Sequence, residues 1–150
     1  MYMDGKGVEQ SFSEGIRLFE KAATMGLDRA YLELAYLYQN DANPGIYDRA
    51  KAFVWWEKLA QRGHAHGQRM LADSYSHGAG VERSDAKARE WYEKAAAQGE
   101  LDALNSLGIM YHQGAATGRR DYAKAWHYYS EAAKRGKAEG FYNLGLSEFR

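Results

Sequence analysis

The 150-residue chain has no cysteine. Disulfide staples, thiolate metal sites and thiol nucleophiles are excluded together, although this lack does not place the chain in a compartment. It has a single proline against 16 glycines, and with its many Ala and Tyr residues it reads as helices stopped by glycine rather than strands bounded by proline turns. It has no net charge, because 20 Lys and Arg offset 20 Asp and Glu, with the two signs interspersed. No basic face is left to release counterions from a phosphate backbone, which argues against a nucleic-acid partner. No apolar run approaches bilayer length, so no membrane insertion is expected, and Met1-Tyr2-Met3-Asp4-Gly5-Lys6 lacks the apolar core of a secretory signal.

What is present is a repeat. Ala22-Ala23…Gly26, Leu59-Ala60…Gly63, Ala95-Ala96…Gly99 and Ala132-Ala133…Gly136 recur every 36 to 37 residues, a solenoid period. In the same phase come large pairs, Leu18-Phe19, Trp55-Trp56, Trp91-Tyr92 and Tyr128-Tyr129, each preceded three residues earlier by Gly15, Ala52, Ala88 or Ala125. Small and bulky side chains at that spacing share one helix face. After each glycine stop a second pattern follows, with Ala30, Gly67, Ala103 and Gly140 one turn ahead of Leu34, Leu71, Leu107 and Leu144. Its small residues permit close helix approach. Helices are expected near 11–25, 28–39, 48–62, 65–77, 84–98, 101–113, 121–135 and 138–149, with Ser11, Asp48, Ser84 and Asp121 as N-caps. Gly5-Lys6-Gly7 and Gly78-Ala79-Gly80 read as turn glycines rather than phosphate cradles, since neither completes a nucleotide-binding fingerprint.

The combined pattern, Leu-Gly-x-x-Tyr, Gly-x-Gly-Val, then Lys-Ala-x-x-Trp-Tyr-x-Lys-Ala-Ala-x-x-Gly, resembles the Sel-one-like repeat, a relative of the tetratricopeptide repeat; its fullest copy is Lys87 to Gly99. The resemblance runs over essentially the whole chain. It implies an all-α fold, a right-handed α/α solenoid of about four helix-turn-helix repeats forming one domain over residues 1–150. Incomplete end repeats are expected, because Glu148 stands where sister repeats have Tyr and Tyr2…Gly5-Lys6-Gly7-Val8 matches the end of a preceding helix. The resemblance also implies a non-catalytic scaffold, often bacterial, that binds a protein or peptide; cytoplasm and periplasm are both compatible with it. The first copy departs from the pattern with Leu18-Phe19, and two connections lack Gly-x-Gly-Val.

By analogy with tetratricopeptide grooves, the concave face is expected to carry Arg29, Leu32 and Tyr36, then Arg69, Asp73 and Ser76, then Asp102, Asn105, Ile109 and His112, then Tyr142 and Leu146. Aromatic and aliphatic anchors beside hydrogen-bonding groups suit an extended or helical segment. Self-association through the end helices is the architectural alternative. A β-lactam-reactive hydrolase ranks behind both. Ser84-Asp85-Ala86-Lys87 has the Ser-x-x-Lys spacing, but Ser84 falls in a capping column with Asp48 and Asp121, and Lys87 in a column with Lys51 and Lys124. No catalytic residue, cofactor or metal site is assigned: His64 and His66 read as solvated surface, and the in-phase aromatics Trp55, Trp91, Tyr75 and Tyr111 as packing rather than a ligand cage. Trp126, opposite Phe53 and Arg89 in sister repeats, pads a repeat junction or marks a convex contact on this reading.

Overall fold

The computed structural model describes residues 5–115 and 117–148. Its elements are α1 (Gly5–Thr24), α2 (Asp28–Gln39), α3 (Arg49–Gln61), α4 (Ala65–His77), α5 (Asp85–Ala97), α6 (Leu101–Gln113), α7 (Tyr122–Lys134) and α8 (Ala138–Ser147). No strand occurs among the described residues. Each helix packs on the one before it and the one after it, which makes the fold an all-α solenoid rather than a bundle around a single centre. Here α2, α4, α6 and α8 are called A helices, and α1, α3, α5 and α7 B helices.

The B-to-A turn is the same in every copy. Gly26, Gly63, Gly99 and Gly136 have φ of 88°, 83°, 87° and 91°, a left-handed backbone that a side chain would strain. The next residue then donates its N–H back to the first member of the Ala pair: Leu27 to Ala22 at 3.2 Å, His64 to Leu59 at 3.4 Å, Glu100 to Ala95 at 3.2 Å and Lys137 to Ala132 at 3.0 Å. The chain re-enters a helix within one turn, and the small residue of that turn lies against the helix just left. A Cβ added at Gly67 would sit 2.8 Å from Leu59 Cγ, and one at Gly140 would sit 2.6 Å from the Ala133 nitrogen.

The A-to-B connections differ in length but share their anchors. The N–H groups of Asp48, Ser84 and Asp121 donate to the carbonyls of Tyr38, Tyr75 and Tyr111 at 2.8, 2.9 and 2.8 Å. Their side chains then accept from the backbone N–H of Lys51, Lys87 and Lys124 as N-caps. The ammonium groups of these lysines lie 5.4, 5.5 and 5.1 Å from the ring centroids of Tyr38, Tyr75 and Tyr111. Ser84 and Lys87 therefore hold the same structural places as their sister residues, and the Ser-x-x-Lys spacing follows from capping.

Several expectations are corrected. The first helix starts at Gly5, so Ser11 lies inside it and is not a cap, and Gly5-Lys6-Gly7 is helical, whereas Gly78 and Gly80 do form a turn with φ of 68° and 76°. That second turn is held by close approach, since a Cβ on Gly80 would collide with the Arg49 carbonyl of the previous repeat. Leu18 and Phe19 are exposed rather than core. Of each aromatic pair only the second member is fully enclosed: Trp56, Tyr92 and Tyr129 are buried, while Trp55 and Trp91 pack at the edge of the core under Lys58 and Lys94. Trp126 stays about half exposed.

These positions set the energetics. In urea unfolding, Trp56→Ala, which empties a fully buried site in α3 between α2 and α4, is expected to cost about 3–5 kcal/mol. Trp91→Ala, whose ring is already partly in water, is expected to cost less than half as much; equal losses would contradict the division between inner and edge aromatics.

Candidate functional site

The A helices share a face on which side chains from successive repeats bond to one another. The Tyr36 hydroxyl on α2 meets His66 Nε2 on α4 at 2.5 Å, and His66 Nδ1 lies 3.3 Å from the Arg69 guanidinium. Arg69 donates to Asp73 at 3.0 Å and lies 3.2 Å from Glu100 and 3.9 Å from Asp102, both on the α6 side. Asp102 pairs with Lys137 at 2.6 Å, and Asn143 of α8 donates to Asn105 at 2.7 Å. Asp73 also accepts from the Tyr92 hydroxyl of α5.

The expected groove residues thus fall into two groups. Tyr36, Arg69, Asp73, Asp102 and Asn105 belong to this polar row. Arg29, Tyr142 and Leu146 are exposed and stand outside it, Leu32 packs partly on the core, and Ser76 and Ile109 line a cleft described below. His112 turns its ring edge toward Tyr122, at 5.2 Å between centroids, and its buried Nδ1 has no hydrogen-bond partner.

Two readings of the surface change. His64 is not simply solvated: its ring nitrogen caps α4 by accepting from the Gly67 N–H at 3.3 Å. His66 is half-buried against Tyr36 and Trp56. Burial, followed by the positive Arg69 and by His64, pushes its pKa down, so the neutral ring is favoured. Glu100 is half-buried; burial pushes its carboxyl up even as it caps α6 through the Ala103 N–H at 2.6 Å. Asp102 is held low by its hydrogen bond from Lys137. His66, Glu100, Lys137 and Asn143 were missed because each was judged within its own repeat. Comparing the cap column and the next helical positions between adjacent repeats would have set Arg69 beside Glu100 and Asp102 beside Lys137.

Alongside the row lie two clefts, one repeat apart. The first, about 490 Å³, is lined by Arg49, Trp56, Met70, Asp73, Ser74 and His77 among others. The second, about 250 Å³, is lined by the corresponding Asp85, Tyr92, Ser106, Ile109, Met110 and Gln113, together with Asp73 and Ser76. The same place in the repeat therefore recurs with a different lining: Arg49 stands with Asp41 in the first, and Asp85 stands with its ion-pair partner Arg83 in the second. Arg49 and Asp85 were missed because they come from the starts of B helices, whereas the groove was counted on A helices alone. Among the described residues no group of three or more His, Asp or Glu side chains is arranged to hold a metal, and no helix is long and apolar enough to cross a membrane.

The His66 environment has a measurable consequence. Its imidazole should titrate below the ordinary value of about 6.5 by NMR. Because the unfolded chain binds that proton more readily, its contribution to stability is full above about pH 6.5 and falls as pH drops through the folded pKa. The stability difference between wild type and His66→Gln should follow that course, in which other groups cancel; a flat difference between pH 5 and 8 would show that the ring is not held neutral.

Four Sel1 repeats match the chain, at residues 1–27, 28–64, 65–100 and 101–137. Their boundaries fall at the B-to-A turns, so the second, third and fourth each contain one A helix and one B helix. Among solved structures, a protective antigen of uropathogenic Escherichia coli with an SLR fold is 30% identical with a TM-score of 0.77, over 86% of this chain and 27% of that one. A Sel1 repeat protein from Oxalobacter formigenes is 28% identical with a TM-score of 0.69, over 80% and 47%. Cysteine rich protein B of Helicobacter pylori shares the fold at 22% identity, with a TM-score of 0.66 over 91% and 97%. The chain thus spans about a quarter and about half of the first two proteins. No curated protein matches it. With its repeats matched in phase with its helices, the chain belongs to the Sel1 repeat family.

Proposed function

We propose that the chain is a non-catalytic interaction module that holds a protein or peptide segment along the A-helix face, with side chains of the partner entering the two clefts. Sel1 repeat proteins are in general protein-interaction modules and typically non-enzymatic scaffolds, which supports a protein partner. The observation that carries the finer reading is the recurrence of one cleft at one-repeat spacing with changed lining. An extended segment presents side chains at regular intervals, and sites in equivalent places but of different size and lining would read them in register. The preorganised Arg69–Asp73–Asp102–Lys137 row flanks the clefts with groups already fixed, which lowers the ordering cost of binding.

The polar row also decides which variants test the reading. Arg69→Glu would set a fourth carboxylate among Asp73, Glu100 and Asp102 and damage the fold rather than the contact. Arg49 is exposed and Ile109 half-exposed, and neither side chain joins two helices of the row. In capture from a lysate of the source organism, Arg49→Glu/Ile109→Asp is expected to lose at least tenfold of the bound partner with helical circular dichroism unchanged, while Trp126→Ala retains it. Equal capture by all three proteins would remove the clefts from the contact.

A further inference from the structure

Arg69 leaves one of its donors unspent, and an imidazole holds it in that position. A guanidinium can only donate, so the 3.3 Å contact between Arg69 and His66 Nδ1 requires that this ring nitrogen carry no proton. The proton of the neutral ring is then on Nε2, which donates it to the Tyr36 oxygen at 2.5 Å. Arg69 is thereby held between His66 and Asp73, both on its own helix α4. Its Nε lies 3.2 Å from Glu100 Oε1, yet this buried N–H has no hydrogen-bond partner among the described residues: it is near the carboxylate without being aimed at it. Glu100 accepts the Ala103 N–H through Oε2, which leaves Oε1 turned toward Arg69. An unspent buried donor and an acceptor within reach of it thus face each other across the joint between α4 and α6, and leaving such a donor unpaired costs free energy.

We propose that the His66–Arg69 contact is an acid-operated switch: a proton on His66 Nδ1 turns an acceptor into a donor, expels the guanidinium, and lets Arg69 pivot about Asp73 to close the Nε hydrogen bond to Glu100. The Nε2 proton takes no part, so the Tyr36 link between α2 and α4 persists in both states. What changes is the joint between α4 and α6, from an unaimed ion pair to a charge-assisted hydrogen bond. The groups around the ring set the range. Burial, which includes the Trp56 ring of α3, disfavours the imidazolium, as do Arg69 and His64 of the turn before α4; Asp102 of α6 and Asp73 favour it, and Tyr36 of α2 supplies only its hydroxyl. The first set prevails, so the switch turns only as pH falls below about 6.5. Glu100 must stay ionised to receive Arg69, and burial raises its carboxyl; the new bond therefore builds as His66 titrates and is lost again once Glu100 takes up a proton. Only this joint carries the device, because the His66 column holds Arg29, Asp102 and Glu139 in the other repeats.

The switch is independent of the clefts and needs no partner to be tested. In NMR titrations from about pH 8 to 5, the Hε resonance of Arg69 should move downfield with the same midpoint as the His66 ring. In His66→Gln it should stay still through that midpoint. Glu100→Gln keeps one side-chain oxygen for the Ala103 cap and turns an amide donor toward Arg69; there His66 should still titrate while Arg69 Hε loses most of its shift, with helical circular dichroism unchanged. An Hε resonance that does not follow His66 in the wild type would overturn the proposal, and this result decides even if a variant fails to fold. Equal movement in wild type and Glu100→Gln would overturn it too, since the shift would then report only the field of the imidazolium on a guanidinium that has not moved.

Discussion

The architecture depends on the close approach between the end of each B helix and the first turn of the following A helix. A left-handed glycine reverses the chain, a backbone N–H returns to the Ala pair, and a residue with little or no side chain lies against the helix just completed. Gly67 against Leu59 and Gly140 against Ala133 leave no room for a Cβ. With that distance set, the aromatic at the centre of the B helix reaches the Leu row of the A helices, and the apolar surface that drives folding is buried. The fold stands without a cysteine because every repeat supplies this junction itself.

Everything fixed by the junction is alike between copies, and what it leaves free varies. The A-to-B connections change length between constant anchors at the tyrosine carbonyl and the capping residue. The outward positions of the A helices, together with the starts of the B helices, change charge and size, and these positions form the polar row and the cleft linings. Packing and recognition are thus written in different columns of the same repeat.

The residues differ in how well the sequence disclosed their roles. Those that act within one repeat were readable from spacing: the stop glycines, the caps Asp48, Ser84 and Asp121, the Leu row and the Ala columns all reflect local backbone geometry or helical period. Trp55 and Trp56 are adjacent and equally apolar, so the pattern could not tell the edge ring from the enclosed one; a small rotation of the helix about its axis decides it. Ser11 looked like a cap because its column is a capping column, but capping requires a helix start, and α1 runs through it. His66 looked solvated because its partner Tyr36 belongs to another repeat.

By itself the sequence determined the family, the helix count, the hinge glycines and the Leu and Ala columns of the core, because these follow from a period and from the steric limits of single residues. The tertiary structure decided which side chains meet between repeats, and so the Arg69–Glu100–Asp102–Lys137 row and the paired clefts. Contacts of that kind depend on the rotation and rise from one repeat to the next. Those two quantities emerge only when all the junctions pack at once, and no single repeat encodes them.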